Sequence, residues 1–254
     1  MDITAVLSKE FGLKSEHVSN IITLIDDGNT IPFIARYRKE MTGACDDQVL
    51  RTLADRLEYI RNLQKRKAEI MESITAQEKM TDELAQAIEK SVTLSEVDDL
   101  YRPYRPKRRT RATIALEKGL RPLADIILKQ DLQSGEISEL ATDFIDADKG
   151  VESWEDAVTG AKDIIAEDIS DDANTRKLLR TLIYREGALT SHADKDEDSV
   201  YQMYYDFSEP VAKVPSHRIL AINRGEREGF LKVKVEIADE LALSVPKKGF
   251  VKDG

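Results

Sequence analysis

The chain has 254 residues, 41% hydrophobic and 34% charged, with a formal net charge of −10. That length and apolar share allow one large core or two modest ones, and the acidic balance excludes a protein that coats polyanions through its overall charge. The single cysteine, Cys45, excludes an internal disulfide framework, and no apolar run approaches the ~18 residues of a membrane span.

Asp2 ahead of Ile3, Val6 and Leu7 predicts a first helix closing near Gly12. Ser15 followed by Val18, Ile21, Ile22 and Ile25 predicts a second, stopped by Gly28, and the two read as an antiparallel pair. Pro32 suits the first turn of a third helix over 33–41, ended by Gly43 and carrying a small basic cluster of Arg36, Arg38 and Lys39. No Gly or Pro occurs from 46 to 77, and Leu50, Leu53, Leu57, Ile60, Leu63, Ile70 and Ile74 recur at three- and four-residue steps. One spine helix of about 30 residues and ~45 Å is expected there. Its stripe thins at 64–69, where Lys65, Arg66 and Lys67 fall, so that stretch reads as exposed or as a bridge between packed regions. Thr81 and the capping box Thr93-x-x-Glu96 open two short helices that lead to Tyr101.

The run LYRPYRPKRRTRATI at 100–114 is the sharpest local feature. From 101 to 122 there are eight bases (Arg102, Arg105, Lys107, Arg108, Arg109, Arg111, Lys118, Arg121) against one acid, Glu117, and residues 123–175 then hold fifteen acids and three bases. Pro103 and Pro106 bias the residues before them away from helical angles, so 102–109 is expected to run extended with its cations and tyrosines splayed outward. Two readings stand side by side. In one, the arginines reach successive phosphates while Tyr101 and Tyr104 stack on unpaired bases. In the other, the tyrosines anchor the loop and the cations dock on the acids of 123–175 as an internal clamp. Candidate nucleic-acid-binding residues are therefore Tyr101, Arg102, Tyr104, Arg105, Lys107, Arg108, Arg109 and Arg111, with Arg36, Arg38 and Lys39 as a weaker cluster that also reads as a solvated helix face.

Helical spacing resumes over 113–118 before Gly119, 122–130, 137–145, 153–169 with Ser153-x-x-Asp156 at its start, and 174–186 before Gly187. No fixed-period repeat marks a solenoid. The polar stretch 188–199 reads as a linker or mobile loop, 200–205 as helical, and Pro215 and Ser216 as the cap of a helix through Ile219, Leu220 and Ile222 that Gly225 closes. Residues 230–237 alternate like a strand, paired either by 242–245 or by a segment outside the chain. The expected fold is all-α in the main, a multi-helix array with one long spine helix and a small strand element near the C-terminus.

Catalytic groupings are thin. His17, His192 and His217 are scattered without metal-ligand spacing, there is no GxxxxGK[ST], GxGxxG or GxSxG, and Cys45 lacks a flanking signature, so no enzyme, metal or cofactor is expected. Asp98 with Asp99, and Asp171 with Asp172, read as helix-end and surface charges. Residues 1–13 show no basic head followed by an apolar run, and a cytoplasmic location is expected.

Three blocks, GNTIPFIARYRKEMTG at 28–43, DLYRPYRPKRRTRATIALEKGLRPLA at 99–124 and FSEPVAKVPSHRILAINRGEREG at 207–229, closely resemble the Tex family of bacterial transcription accessory proteins. The resemblance implies an N-terminal fragment: a Tex-like helical domain over 1–190 and the start of a central region over 191–254. It also implies RNase H-like, helix-hairpin-helix and OB-fold RNA-binding domains downstream, and kinship to a eukaryotic elongation factor. Matching motif positions are Arg36, Tyr37 and Arg38, then residues 101–111, then His217, Arg218 and Arg224, with no role assigned to any one of them. Ala44 and Cys45 depart from the more aliphatic residues expected there, so Cys45 reads as incidental. The implied partners are RNA or DNA, mainly through the downstream domains. The alternative is a docking module for other Tex domains or RNA polymerase, and neither a membrane nor a small-molecule substrate is expected.

Overall fold

A computed structural model describes residues 2–106, 109–131, 137–195 and 197–252. Among these it holds fourteen α-helices and one three-stranded antiparallel sheet near the C-terminus, in agreement with the mainly helical expectation. The chain divides into two compact units, Met1–Asp98 and Asp99–Gly254.

In the first unit, α1 (Ile3–Phe11) begins where the Asp2 carboxylate accepts from the Ala5 amide at 3.2 Å and ends where Gly12 turns left-handed at φ 65°. Next come α2 (Ser15–Asp26), α3 (Ile31–Tyr37) and α4 (Lys39–Thr42). The single helix expected over 33–41 is thus broken, at Arg38 (φ −129°, ψ 30°). Arg38 lies four residues after Ile34, which is fully buried, so a continuous helix would have carried its guanidinium over the same inward face. The bend keeps that charge in water.

The spine is α5 (Asp47–Ala76), 30 residues long and capped by Asp46, whose carboxylate accepts from the Val49 amide at 2.8 Å. Leu50, Leu53, Leu57 and Ile60 close on Leu7, Val18, Ile21, Leu24 and Ile34 in one core. Farther along, Leu63, Ile70 and Ile74 are buried, as is Ile88 of α6 (Asp82–Lys90). The thin stretch of the stripe is not simply exposed. Lys67 lies on the buried face between Leu63 and Ile70, and its ammonium donates to the Glu89 carbonyl at 2.7 Å. Burial lowers its pKa against the opposing pull of Glu89 and Glu96. On other faces, Arg56 forks onto Glu10, Arg61 onto Asp26 and Arg66 onto Asp98, each at 2.7 Å. These pairs tie the spine to α1, to α2 and to α7 (Leu94–Tyr101).

In the second unit, Arg102–Tyr104 form one turn of 3-10 helix, and only then does the backbone extend, at Arg105 (φ −68°, ψ 134°). The extended run expected from 102 therefore starts three residues late. Pro103 occupies the first turn of that short helix, where a missing N–H leaves no bond unmade. Then come α8 (Arg111–Glu117), α9 (Arg121–Lys129), α10 (Ile137–Thr142), α11 (Trp154–Asp171) and α12 (Ala173–Glu186). Small buried residues, Ala112, Ala115, Ala124, Ala141, Ala157 and Ala161, let α8, α9 and α10 approach α11 closely around Leu120, Leu123 and Ile164.

The linker expected over 188–199 is instead headed by β1 (Ala188–Ala193), the central strand of the sheet. It pairs antiparallel with β2 (Asp206–Pro210) on one side, Leu189 opposite Glu209. After β2 comes α13 (Ser216–Arg227), and β3 (Leu231–Glu236) then takes the other side of β1, Leu189 opposite Val235. The strand seen in the sequence therefore finds its partner at 188–193, and not at 242–245, which lies inside α14 (Asp239–Phe250). β1 reads as a linker because polar side chains fill it, yet Ser191 is fully buried and its hydroxyl donates to the Tyr204 carbonyl at 2.7 Å. Of the helix expected over 200–205, only the 3-10 turn Gln202–Tyr204 forms. The boundary drawn at 190/191 falls within β1.

Gly225 does not close α13, which runs on to Arg227. It is a packing position: a Cβ there would stand 2.7 Å from Leu231 Cδ1 and 3.1 Å from Tyr201 Cδ1. Gly225→Ala should accordingly lower stability by ~1–2 kcal/mol, overpacking outweighing a helix-propensity gain of up to ~1 kcal/mol. Gly249→Ala in α14 meets nothing within 4 Å and should be neutral or slightly stabilising. Urea unfolding of both variants beside the parent checks the contrast, and a stabilised Gly225→Ala would contradict it.

Candidate nucleic-acid interface

The basic run is rooted in two carboxylates that are almost wholly out of water. Asp99 on α7, 7% exposed, accepts from Arg176 Nε at 2.7 Å and from Arg180 Nη2 at 2.6 Å, two guanidiniums one turn apart on α12. Asp171 at the end of α11, 8% exposed, accepts from Arg102 Nε at 2.7 Å. Both aspartates were expected at the surface. It is their sequence neighbours that fit the expectation: Asp98 is half exposed against Arg66, and Asp172 caps α12 by accepting from the Thr175 amide at 2.6 Å. Asp98 and Asp99 point about 100° apart on α7, so one of them turns in, while Asp172 leaves the helix as the extended cap residue between α11 and α12 (φ −64°, ψ 118°) and Asp171 stays on the inward side. The signal that could have found this network is the Arg176-x-x-x-Arg180 spacing, which sets two cations on one helix face.

Beyond that root Arg105, Arg109 and Arg111 are held loosely, and Arg121 is again engaged. Arg105 is exposed and meets no carboxylate among the described residues. Arg109 pairs with Glu117 at 2.9 Å, both side chains more than half exposed. Arg111 Nε lies 3.5 Å from Asp163 with its side chain 87% exposed, an electrostatic neighbour beyond hydrogen-bond length. Arg121 contacts Asp168 at 2.8 Å and Asp125 at 3.0 Å; partial burial works against its charge, and the two carboxylates outweigh that and raise its pKa. Tyr101 and Tyr104 are half-buried. Lys107 and Arg108 lie outside the described residues.

A recess of about 580 Å³ opens beside the run, lined by Arg102, Arg105 and Arg111 and by the α11 acids Asp163, Glu167 and Asp171. Its lining is therefore of mixed charge, with Asp171 bonded to Arg102 and Asp163 near Arg111. Exposed ion pairs contribute only ~0–1 kcal/mol each, so Arg109 and Arg111 can exchange carboxylate for phosphate at little cost, whereas Arg102 is committed to a desolvated partner.

In the first unit, Arg36, Tyr37, Arg38 and Lys39 are all exposed, and the three cations meet no carboxylate among the described residues. In the third motif block, His217 and Arg224 are exposed, while Arg218 pairs with Glu209 of β2. Cys45 is buried and its thiol donates to the Thr42 carbonyl at 3.0 Å; burial first, and the charge of Asp46 second, push its pKa up, the direction opposite to an activated thiolate. Among the described residues, no cluster of His, Cys, Asp and Glu is arranged to hold a metal, and no helix is long and apolar enough to cross a membrane.

Residues 1–75 match the Tex-like protein N-terminal domain, and residues 133–249 match the Tex central region-like family. The basic run falls between the two. The chain is 50% identical over 234 residues to the Bacillus subtilis (strain 168) protein YdcI, covering 91% of this chain and 32% of that one. It is 40% identical over 239 residues to the transcriptional accessory protein Tex of Neisseria gonorrhoeae, covering 93% and 31%. To the human S1 RNA-binding domain-containing protein 1 it is 32% identical over 250 residues, covering 94% and 24%. The chain thus spans a third or less of the length of these relatives.

Removing the charge of Asp99 by Asp99→Asn leaves Arg176 and Arg180 sharing a neutral amide. Because both arginines are only partly buried, the expected loss is about 2 kcal/mol, below the 3–5 kcal/mol typical of a fully buried pair. Urea midpoints at constant m-value measure it, and a loss under ~0.5 kcal/mol would show that the pair is not a structural anchor. For Cys45, alkylation by iodoacetamide should be slow in the native chain at pH 8 and fast in urea; equal rates would contradict the buried, raised-pKa thiol.

Proposed function

Because the chain belongs to the Tex family, carrying its N-terminal domain and its central region, we propose that it is the helical scaffold of a nucleic-acid-associated transcription accessory factor whose basic run at 101–111 contacts the phosphate backbone. The observation that carries this reading is the graded commitment of the cations. Arg102 is spent on buried Asp171, while Arg105, Arg109 and Arg111 stay in solvent with no partner, or only an exposed or distant one, among the described residues. Anchoring at one end and freedom at the other is what a phosphate-contacting loop needs, since the fixed root limits the entropy lost on binding. The names of two relatives, a transcriptional accessory protein and an S1 RNA-binding domain-containing protein, support nucleic acid as the partner class. A cytoplasmic location is part of the same proposal.

A second reading, a docking module for RNA polymerase or other domains of the same protein, draws on the acids that share the lining of the recess with the arginines, Asp163 and Glu167 among them. Such a lining also suits a protein surface of mixed charge.

Titrating the 254-residue chain with labelled single-stranded RNA at 50 and 200 mM salt separates the two. Binding should weaken steeply with salt, and the combined Arg105→Glu, Arg109→Glu and Arg111→Glu variant should lose at least tenfold affinity and flatten the log–log salt slope by about 2, near 0.7 per lost contact. Affinity and slope unchanged in the triple variant would reject the loop's role and leave the docking reading.

A further inference from the structure

We propose that the bend between α3 and α4 is a second nucleic-acid site, one that takes an unpaired nucleotide: the Tyr37 ring stacks on the base while Arg36, Arg38 and Lys39 hold the flanking phosphates. This rests on the reading of the chain as nucleic-acid-associated, and not on the loop at 101–111.

Six consecutive residues, 36–41, are all exposed, an arrangement that an amphipathic helix on a core does not allow, since it turns inward every three or four residues. The break at Arg38 produces it. Tyr37, 59% exposed, carries a large aromatic face into water, and its ring centroid lies 5.2 Å from that of Phe33 at a 45° tilt. The Arg38 guanidinium sits over the other ring of this tilted pair, 5.2 Å from the Phe33 centroid, and donates to the Tyr37 carbonyl at 3.2 Å. Arginine and ring are thereby held beside each other before any ligand arrives. Against three cations the bend carries one acid, Glu40, for a local balance of +2 in a chain of net −10.

The bend is also tied to its surroundings by hydrogen bonds. Asn20 of α2 donates to the Met41 carbonyl at 3.1 Å, and His17 Nδ1 lies 3.2 Å from the same oxygen. The Ala44 amide closes on the Lys39 carbonyl at 2.8 Å, Gly43 is left-handed at φ 69°, and Thr42 is fully buried beneath. A preformed aromatic platform flanked by cations that meet no carboxylate among the described residues matches single-stranded recognition, because a stacked duplex hides the base faces that Tyr37 would cover. A purely ionic patch would gain nothing from the exposed ring.

The test compares a short labelled oligouridylate with double-stranded RNA of equal length, by anisotropy, on the full chain and on Tyr37→Ala, Tyr37→Phe and the loop triple variant. Tyr37→Ala should weaken oligouridylate binding roughly tenfold and duplex binding less than twofold, with Tyr37→Phe near the parent. The loop variant should weaken both ligands. Unchanged oligouridylate affinity in Tyr37→Ala overturns the stacking site while leaving the loop reading intact, and equal losses for single and double strands overturn it as well. A parent chain that binds neither RNA brings down both readings together. Helical circular dichroism of each variant guards against misfolding, and the exposed position of Tyr37 makes Tyr37→Ala a mild change to the fold.

Discussion

Two desolvated carboxylates govern what the second unit can do with its positive charge. Asp99 and Asp171 sit at 7% and 8% exposure, and taking a carboxylate out of water costs several kcal/mol unless cations and hydrogen bonds answer it. Arg176, Arg180 and Arg102 answer it, so these arginines are structural before they can be anything else. The same bonds join α7 to α12 and the first turn after α7 to the end of α11. Where the basic run begins is therefore set by buried electrostatics, and Arg105, Arg109 and Arg111 are cations the interior does not need.

The first unit divides its cations the same way by other means. Arg56, Arg61 and Arg66, five residues apart on the spine, each reach a carboxylate on a different helix at 2.7 Å, and the Glu10 and Asp26 carboxyls are held below their ordinary pKa values chiefly by these hydrogen bonds. Lys67 goes further and lies on the buried face, its charge answered by a backbone carbonyl. Against that background the bend at 36–41 is the exception, a cluster of arginine, lysine and tyrosine that the fold presents and does not consume. Each unit thus keeps a few cations free of strong internal pairing, in a chain whose total charge is unfavourable for phosphate.

The free cations matter more than the count. Eight bases crowd 101–122, yet Arg102 and Arg121 are engaged by acids brought from α9 and α11, and Arg109 and Arg111 are lightly held. A linear charge tally therefore overstates what a polyanion could meet. At 36–39 the tally is smaller but none of it is cancelled by a carboxylate among the described residues.

Sequence alone determined several of the helices, α1, α2, the spine α5 and α11 among them. Asp2, Thr81 and Ser153 act as the caps the sequence announces, and the stripe from Leu50 to Ile74, uninterrupted by Gly or Pro, forms a single 30-residue helix, because capping and 3.6-residue periodicity are local and need no distant partner. The three motif blocks likewise marked the family by wording alone. Tertiary structure alone decided the rest: that polar 188–193 is the middle of a sheet, that Gly225 is a contact and not a stop, that α3 and α4 part at Arg38, and which member of Asp98/Asp99 and of Asp171/Asp172 turns inward. Strand pairing and charge burial depend on residues tens of positions away, Ser191 on Tyr204 and Val233, Asp99 on Arg176 and Arg180, and no window of neighbours contains that information.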